Sequence, residues 1–108
     1  MIQQISPRAL AEALAQGQAI RLLDVRQTWE NQLASLPGSA LIPLNELPQR
    51  AGEIGIDGDS TLVVYCHHGI RSLSAAAYLE RLGHPSVKSL AGGIDAWSCE
   101  VDPAVPRY

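Results

Sequence analysis

Short apolar runs typical of β-strands alternate along this chain with segments of helical periodicity. The strongest run is Thr61–Tyr65, which is apolar enough to be buried on both faces of a sheet. Further strands are predicted over residues 2–5, 20–25, 40–42 and 87–90. Strands that alternate with helices form parallel sheets covered by helices on both faces. The pattern therefore predicts an α/β fold with a central parallel sheet of about five strands flanked by helices.

The predicted helices are bounded by residues that commonly start and end helices. Ser6 and Pro7 suit the N-cap and first position of a helix that ends near Gly17. Further helices are predicted over residues 28–33, 44–54, 72–82 and 94–97. Residues 101–108 include prolines, which favour an extended C-terminal tail. The alternative is a tail that folds back and buries Val105 and Tyr108. With no linker or repeat in between, residues 1–108 are predicted to form a single domain.

Composition and charge exclude several classes of partner. The net charge of −3, with basic residues scattered along the chain, argues against nucleic acid. No stretch is long and apolar enough to cross a bilayer, and the first residues lack the pattern of a signal peptide, so a cytoplasmic protein without a membrane partner is expected. Two cysteines far apart do not make a disulfide framework. Chemistry is therefore a better reason for Cys66 than a crosslink.

Cys66 lies where an α/β fold places its reactive groups. It follows the strand run directly and opens a loop, residues 66–71, that leads into a helix. Sites in such folds form at the carboxyl ends of the strands. The N–H groups of the loop and the start of the helix stabilise anions, Gly69 lets the backbone turn, and Arg71 adds a permanent charge. These conditions favour a thiolate nucleophile at Cys66 over a cysteine that only fills space in the core.

Four segments of the chain carry a resemblance to one family. The loop CHHGIRS, residues 66–72, resembles the active-site loop of single-domain rhodaneses, which are sulfurtransferases. Segments 23–30, 36–44 and 90–97 resemble the other signatures of that family, in the same order. Each segment alone is a weak signal, but four in order at similar spacing are specific. The resemblance implies the three-layer rhodanese-like fold over residues 1–108.

The resemblance also implies a reaction, that of a thiosulfate sulfurtransferase. The thiolate of Cys66 would take a sulfane sulfur from a small anionic donor such as thiosulfate, or from a persulfide, and become a persulfide itself. Cyanide or a thiol would then accept that sulfur, without a metal or an organic cofactor, and a sulfur-trafficking protein is a further candidate partner. The residues expected to bind the substrate anion are those of the loop, namely His67, His68, Gly69, Ile70, Arg71 and Ser72.

Residues outside the loop are assigned supporting or neutral roles. Asp24 ends another predicted strand and is expected to accept hydrogen bonds near the site. Arg26 is a candidate supporting residue that contacts an anionic donor or forms an ion pair with Glu30. Cys99 is expected to be a bystander thiol, the alternative being that it resolves an oxidised Cys66 into a disulfide. A zinc site at Cys66 is not predicted, because adjacent residues rarely converge on one metal.

Two other functions compete with sulfur transfer by an enzyme. The first is a non-catalytic sulfur carrier or docking module that serves a partner enzyme. The second is a phosphatase or arsenate reductase, since phosphatases with a related fold also have a cysteine and an arginine in one loop. Only four residues separate Cys66 from Arg71, whereas the phosphatase loop is longer and makes a wider cradle for phosphate. The shorter loop favours sulfur transfer.

Overall fold

The central sheet contains five parallel strands. The computed structural model describes residues 2–108, and Met1 lies outside the described residues. The strands are β1 (Gln3–Ile5), β2 (Ile20–Asp24), β3 (Ala40–Leu41), β4 (Thr61–Tyr65) and β5 (Val87–Leu90). Their spatial order is β1-β5-β4-β2-β3, and every neighbouring pair is parallel. The predicted α/β class and the five-stranded parallel sheet are confirmed.

Helices follow the strands along the chain. They are α1 (Pro7–Ala15), α2 (Thr28–Leu33), α3 (Leu47–Arg50), α4 (Ile70–Arg81) and α5 (Gly93–Glu100). The predicted start of α1 is confirmed, because the Ser6 hydroxyl accepts a hydrogen bond from the Ala9 N–H at 3.1 Å and Pro7 is the first helical residue. Within residues 2–108, the structure contains no helix with the length and apolarity needed to cross a membrane.

Three predicted helices differ from the observed ones, and the last of them, predicted over residues 94–97, is the longer α5. The single helix expected over residues 44–54 is three short pieces, a 3₁₀ helix (Leu44–Glu46), α3 and a second 3₁₀ helix (Ala51–Glu53). Pro48 explains the first break, because it has no N–H to continue the hydrogen bonds of the preceding turn. Helix α4 begins at residue 70 rather than 72, because Gly69 adopts a left-handed φ of 97° that turns the chain directly into the helix.

Strand β4 is buried on both faces, as its apolar sequence predicts. Leu62 and Val64 belong with Cys66 to one core cluster, whereas Val63 and Tyr65 belong to another. The alternation follows from the two-residue period of a strand, which points successive side chains to opposite faces. The first cluster also contains Ala75, Ala76 and Leu79 of α4, and the second contains Leu10 of α1 with Ile94 and Trp97 of α5. The sheet is therefore the middle of three layers, with Cys66 under α4.

The C-terminal residues fold back onto the domain. The Val105 N–H donates to the Asp102 carbonyl at 3.1 Å, and the Ala104 N–H donates to the Asp102 carboxylate at 3.1 Å. These bonds form a turn, so the prediction of an extended tail is wrong at this point. Val105 is buried and Tyr108 is half-buried. The alternative in which the tail packs back onto the fold is confirmed.

Candidate active site

Cys66 is buried at the carboxyl edge of the sheet, directly after β4, with 1% of its surface exposed. Its Sγ accepts hydrogen bonds from the Gly69 N–H at 3.1 Å and the Ser72 N–H at 3.3 Å. Both donors come from the loop that was expected to surround the cysteine. Two N–H groups directed at one sulfur stabilise a negative charge on it. The geometry therefore suits a thiolate and any anion that the sulfur carries.

The first turn of α5 holds the loop by hydrogen bonds to its carbonyl groups. The Ile94 N–H donates to the Cys66 carbonyl at 2.9 Å, and the Asp95 N–H donates to the His67 carbonyl at 3.1 Å. These donors belong to the first turn of a helix, where N–H groups have no partner within the helix. In a trans peptide the C=O and the following N–H point in opposite directions, so the next N–H groups of the loop point away from α5. This role of α5 was not predicted from the sequence.

Gly93 allows α5 to approach the loop this closely. Its φ is +63°, and a Cβ at this position would overlap the carbonyl oxygens of Cys66 and His67. Its sequence signal is the pair Gly92-Gly93 before a short helix. Substitution there would strain the backbone and also displace the loop at Cys66 and His67.

We expect Gly93→Ala to lower the free energy of unfolding by about 3 kcal/mol or more, measured by urea denaturation. Gly17→Ala is the matched control, because Gly17 also has a positive φ of 74° but its Cβ would have no neighbour within 4 Å. The control should lose only the backbone penalty, about 1–2 kcal/mol. Equal losses in the two variants would contradict close packing at Gly93.

Arg71 is paired with a buried carboxylate. Its Nη1 and Nη2 donate to Glu30 Oε1 and Oε2 at 2.7 and 2.9 Å, a bidentate arrangement. Glu30 is 3% exposed, and its hydrogen bonds to the Arg71 guanidinium are the main reason that its pKa is lowered to about 2. Arg71 was expected to supply a permanent positive charge to the loop. In the structure Glu30 compensates that charge, and sequence reasoning missed the pair because the two residues are 41 positions apart.

Asp24 and Arg26 form a second ion pair, inside the core. Both are fully buried, and Arg26 Nε and Nη2 donate to the two Asp24 oxygens at 2.9 and 2.7 Å. Asp24 accepts hydrogen bonds as expected. The predicted ion pair between Arg26 and Glu30 is wrong, because the Arg26 guanidinium reaches only the Glu30 backbone carbonyl, at 3.4 Å. Being fully buried, Arg26 is also not exposed to an anionic donor.

Tyr108 joins the two ion pairs at the mouth of the site. Its hydroxyl donates to Glu30 Oε2 at 2.6 Å and accepts from Arg26 Nη1 at 2.8 Å. Its ring stacks on His67, with centroids 3.9 Å apart, and meets Trp29 edge-on at 5.9 Å. Burial is the main cause that raises the pKa of Tyr108 to about 12. No local spacing in the sequence predicts contacts between residues 78 and 82 positions apart.

The two histidines of the loop differ in their surroundings. His67 is stacked between Tyr108 and His68, and burial lowers its pKa below the ordinary value. Its burial therefore disfavours the charged imidazolium, so His67 contributes less positive charge to the loop than an ordinary histidine would. His68 is exposed, with Nδ1 3.9 Å from Asp95 Oδ2, and the neighbouring Ile70 is 76% exposed. These two side chains form the outer surface of the loop.

The family follows from comparison with known proteins. A family model described as the rhodanese-like domain matches residues 6–100. The chain belongs to the rhodanese-like family. A sulfurtransferase from Allochromatium vinosum is 36% identical over 98 residues, which cover 91% of this chain and 90% of that protein. The crystal structure of a rhodanese-related protein from Thermoplasma volcanium matches with a TM-score of 0.82 and 31% identity, covering 92% of this chain and 93% of the other.

A larger relative matches this chain over about a quarter of its own length. The adenylyltransferase and sulfurtransferase MOCS3 of Arabidopsis thaliana is 34% identical over an alignment 119 positions long, gaps included, which covers 97% of this chain and 26% of that protein. The sulfurtransferases among the relatives support sulfur transfer as the general activity of this rhodanese-like chain.

Other candidate groups lie apart from the loop. Cys99 is an exposed free thiol on α5, whereas Cys66 is a buried free thiol. Within the part of the chain that the structure describes, no three His, Cys, Asp or Glu side chains are grouped to hold a metal ion. The rhodanese-like loop and the residues that contact it therefore form the candidate active site.

Proposed function

We propose that this rhodanese-like domain is a sulfurtransferase that carries a sulfane sulfur as a persulfide on Cys66. The observation that supports it most directly is the hydrogen bonding of Cys66 Sγ, which accepts two backbone N–H groups in a buried site. Backbone dipoles held by the fold do not have to reorganise when charge moves from the thiolate to the terminal sulfur of a persulfide. Such a site suits a sulfur that alternates between these two anionic forms.

The proposed cycle has two displacement steps at sulfur. With thiosulfate as donor, the Cys66 thiolate attacks the outer sulfur, a new S–S bond forms, and sulfite leaves with the electron pair of the broken bond. Cyanide or a thiolate then attacks the terminal sulfur of the persulfide, takes it as thiocyanate or a new persulfide, and releases the Cys66 thiolate. The enzyme's own sulfur is the carrier.

The charge around the loop favours a singly charged sulfur donor. The positive charge of Arg71 is compensated by Glu30 at 2.7 Å, and burial lowers the pKa of His67, which disfavours its charged form. The backbone N–H groups then remain as the main stabilisers of an anion, and the loop offers little long-range attraction to a dianion such as thiosulfate. We therefore propose that a persulfide loads Cys66 faster than thiosulfate does.

The test is the intact mass of the protein before and after exposure to each donor. We expect a gain of one sulfur atom with cysteine persulfide, whose carboxylate and ammonium groups cancel so that it is singly charged, a slower gain with thiosulfate, and removal of that sulfur by cyanide. Cys99→Ser should gain the sulfur and Cys66→Ser should not, which assigns the carrier residue. A protein that gains no sulfur from any donor, small molecule or protein, would contradict the proposal.

A sulfur carrier that serves a partner enzyme is the second candidate function. The compensated charge of Arg71 and the match of this chain to 26% of a larger sulfurtransferase both favour it. A carrier would gain sulfur only from a protein persulfide donor and would release none to cyanide at a useful rate. A phosphatase or arsenate reductase is less well supported, because the Arg71 guanidinium is paired with Glu30 and the loop is short.

A further inference from the structure

Two serine hydroxyls lie behind Cys66 in the core. The Ser72 Oγ is 3.5 Å from Cys66 Sγ on one side and 2.7 Å from Ser89 Oγ on the other. Both serines are fully buried. Ser89 is on β5, where it pairs with Val64 of β4, the residue two positions before Cys66. A chain of three polar groups therefore runs from the neighbouring strand to the reactive sulfur.

A serine at position 89 is not explained by packing. It is completely inaccessible in a strand whose residues Val87 and Leu90 belong to the apolar core. A hydroxyl in such a place destabilises the fold unless it is hydrogen-bonded. Among residues 2–108, the hydrogen bond that the structure gives this hydroxyl is the one to Ser72 Oγ. The role of Ser89 therefore has to be sought through Ser72.

The direction of these hydrogen bonds depends on the charge of the sulfur. Each hydroxyl has one hydrogen. If Ser89 donates to Ser72, the hydrogen of Ser72 is free to point at Cys66 Sγ, and a thiolate accepts it. If Cys66 is a thiol that donates to Ser72, one hydroxyl hydrogen is left without an acceptor among the three groups: that of Ser89 when Ser72 donates to it, or that of Ser72 when Ser72 accepts from both neighbours. Every hydrogen is bonded when the chain runs from Ser89 to a thiolate.

We propose that Ser89 is a positioning residue that orients the Ser72 hydroxyl toward Cys66 Sγ and so stabilises the thiolate. A hydroxyl that accepts a hydrogen bond becomes a stronger donor, by about 10–30% in condensed phases. Without Ser89, no neighbouring hydroxyl fixes the direction of the Ser72 hydrogen, which is then free to turn away from Cys66 Sγ. The proton that Cys66 loses goes to solvent, and both serines keep their own hydrogens.

The test is the pH dependence of Cys66 alkylation by iodoacetamide, measured by mass spectrometry in a Cys99→Ser background. Only the thiolate reacts, so the midpoint of the profile reports its formation. We expect Ser89→Ala to raise that midpoint by about half a pH unit. Ser98→Ala is the matched control, because Ser98 is a buried serine whose hydroxyl donates to the Ile94 carbonyl at 3.1 Å, and its profile should not move.

Two further comparisons separate positioning from a structural role. Ser89→Thr and Ser89→Val have the same shape, and only the threonine keeps a hydroxyl, so the threonine profile should match wild type and the valine profile should match Ser89→Ala. The threonine and valine variants also provide the test if Ser89→Ala folds poorly. In a Ser72→Ala background, Ser89→Ala should cause no further shift, because its effect passes through Ser72.

An unchanged midpoint in Ser89→Ala, or the same shift with and without Ser72, would overturn the inference. The role of Ser89 in catalysis rests on the proposed function, but alkylation requires no sulfur transfer. If the protein fails to gain sulfur but shows the coupled shift, the proposed function is wrong and the inference about Ser89 stands. If the protein gains sulfur without the coupled shift, only the inference about Ser89 is wrong.

Discussion

Replacing Cys66 with serine is expected to lower sulfur transfer to less than about a thousandth of the wild-type rate. An alcohol remains protonated near neutral pH, and an oxygen cannot form a persulfide. The backbone donors of Gly69 and Ser72 persist in the variant, so the loss of the reaction could not be attributed to lost anion binding. The measurement is thiocyanate release from thiosulfate and cyanide, together with sulfur transfer from glutathione persulfide to a thiol.

The matched control for this result is Cys99→Ser. Cys99 is the other cysteine of the chain and is exposed on α5. Its replacement should leave turnover within about twofold of wild type, since surface substitutions away from a site change little. Urea denaturation of both variants checks that the fold is intact. Turnover that survives in Cys66→Ser but falls in Cys99→Ser would assign the carrier role to Cys99 and contradict the role proposed for Cys66.

The position of Cys66 could be predicted because strand patterns are local. The run Thr61–Tyr65 is short, rich in β-branched residues and apolar from Leu62 onward, which is typical of a strand covered on both faces. A parallel sheet then places the next residue at the edge where sites form. Nothing beyond neighbouring residues is needed for that inference. The same holds for the N-cap at Ser6, which depends on residues within one helical turn.

The partner of Arg71 could not be predicted because it is chosen by the fold. From the sequence, Arg26 and Glu30 are four positions apart and form a natural pair. The tertiary structure instead buries Arg26 against Asp24 and leaves Glu30 to Arg71, which arrives from α4. Each carboxylate is thereby matched by one guanidinium in a buried place, where an unmatched charge would be costly. The pairing of arginines with carboxylates therefore follows from the need to balance each buried charge, and closeness in sequence does not determine it.

The loop is held from three sides by different parts of the chain. The first turn of α5 binds its carbonyl groups, the Glu30 carboxylate holds its arginine, and the Tyr108 ring covers its first histidine. Each contact uses a different interaction, namely hydrogen bonding, an ion pair and ring stacking. A site held in this way keeps its N–H groups in place as the charge on sulfur changes. That rigidity is what electrostatic stabilisation of the proposed intermediates requires.

Replacing Arg26 with alanine is expected to lower the free energy of unfolding by about 3–5 kcal/mol, because it leaves the Asp24 carboxylate buried without a counter-charge. Arg50→Ala is the matched control, since Arg50 also contacts two carboxylates, those of Glu46 and Glu53, but at the surface. Its stability should stay close to wild type, because exposed ion pairs contribute little.

The double variant Arg26→Met/Asp24→Leu identifies the cause of that loss. If the uncompensated charge of Asp24 dominates, removing both charges restores much of the stability, since a buried ion pair can be replaced by apolar side chains at small net cost. If the hydrogen bonds of Arg26 to Ala34, Glu30 and Tyr108 dominate, the double variant stays as unstable as Arg26→Ala. Urea denaturation of wild type, Arg26→Met, Asp24→Leu and the double variant measures the coupling between the two residues. A small loss in Arg26→Ala would contradict the buried pair itself.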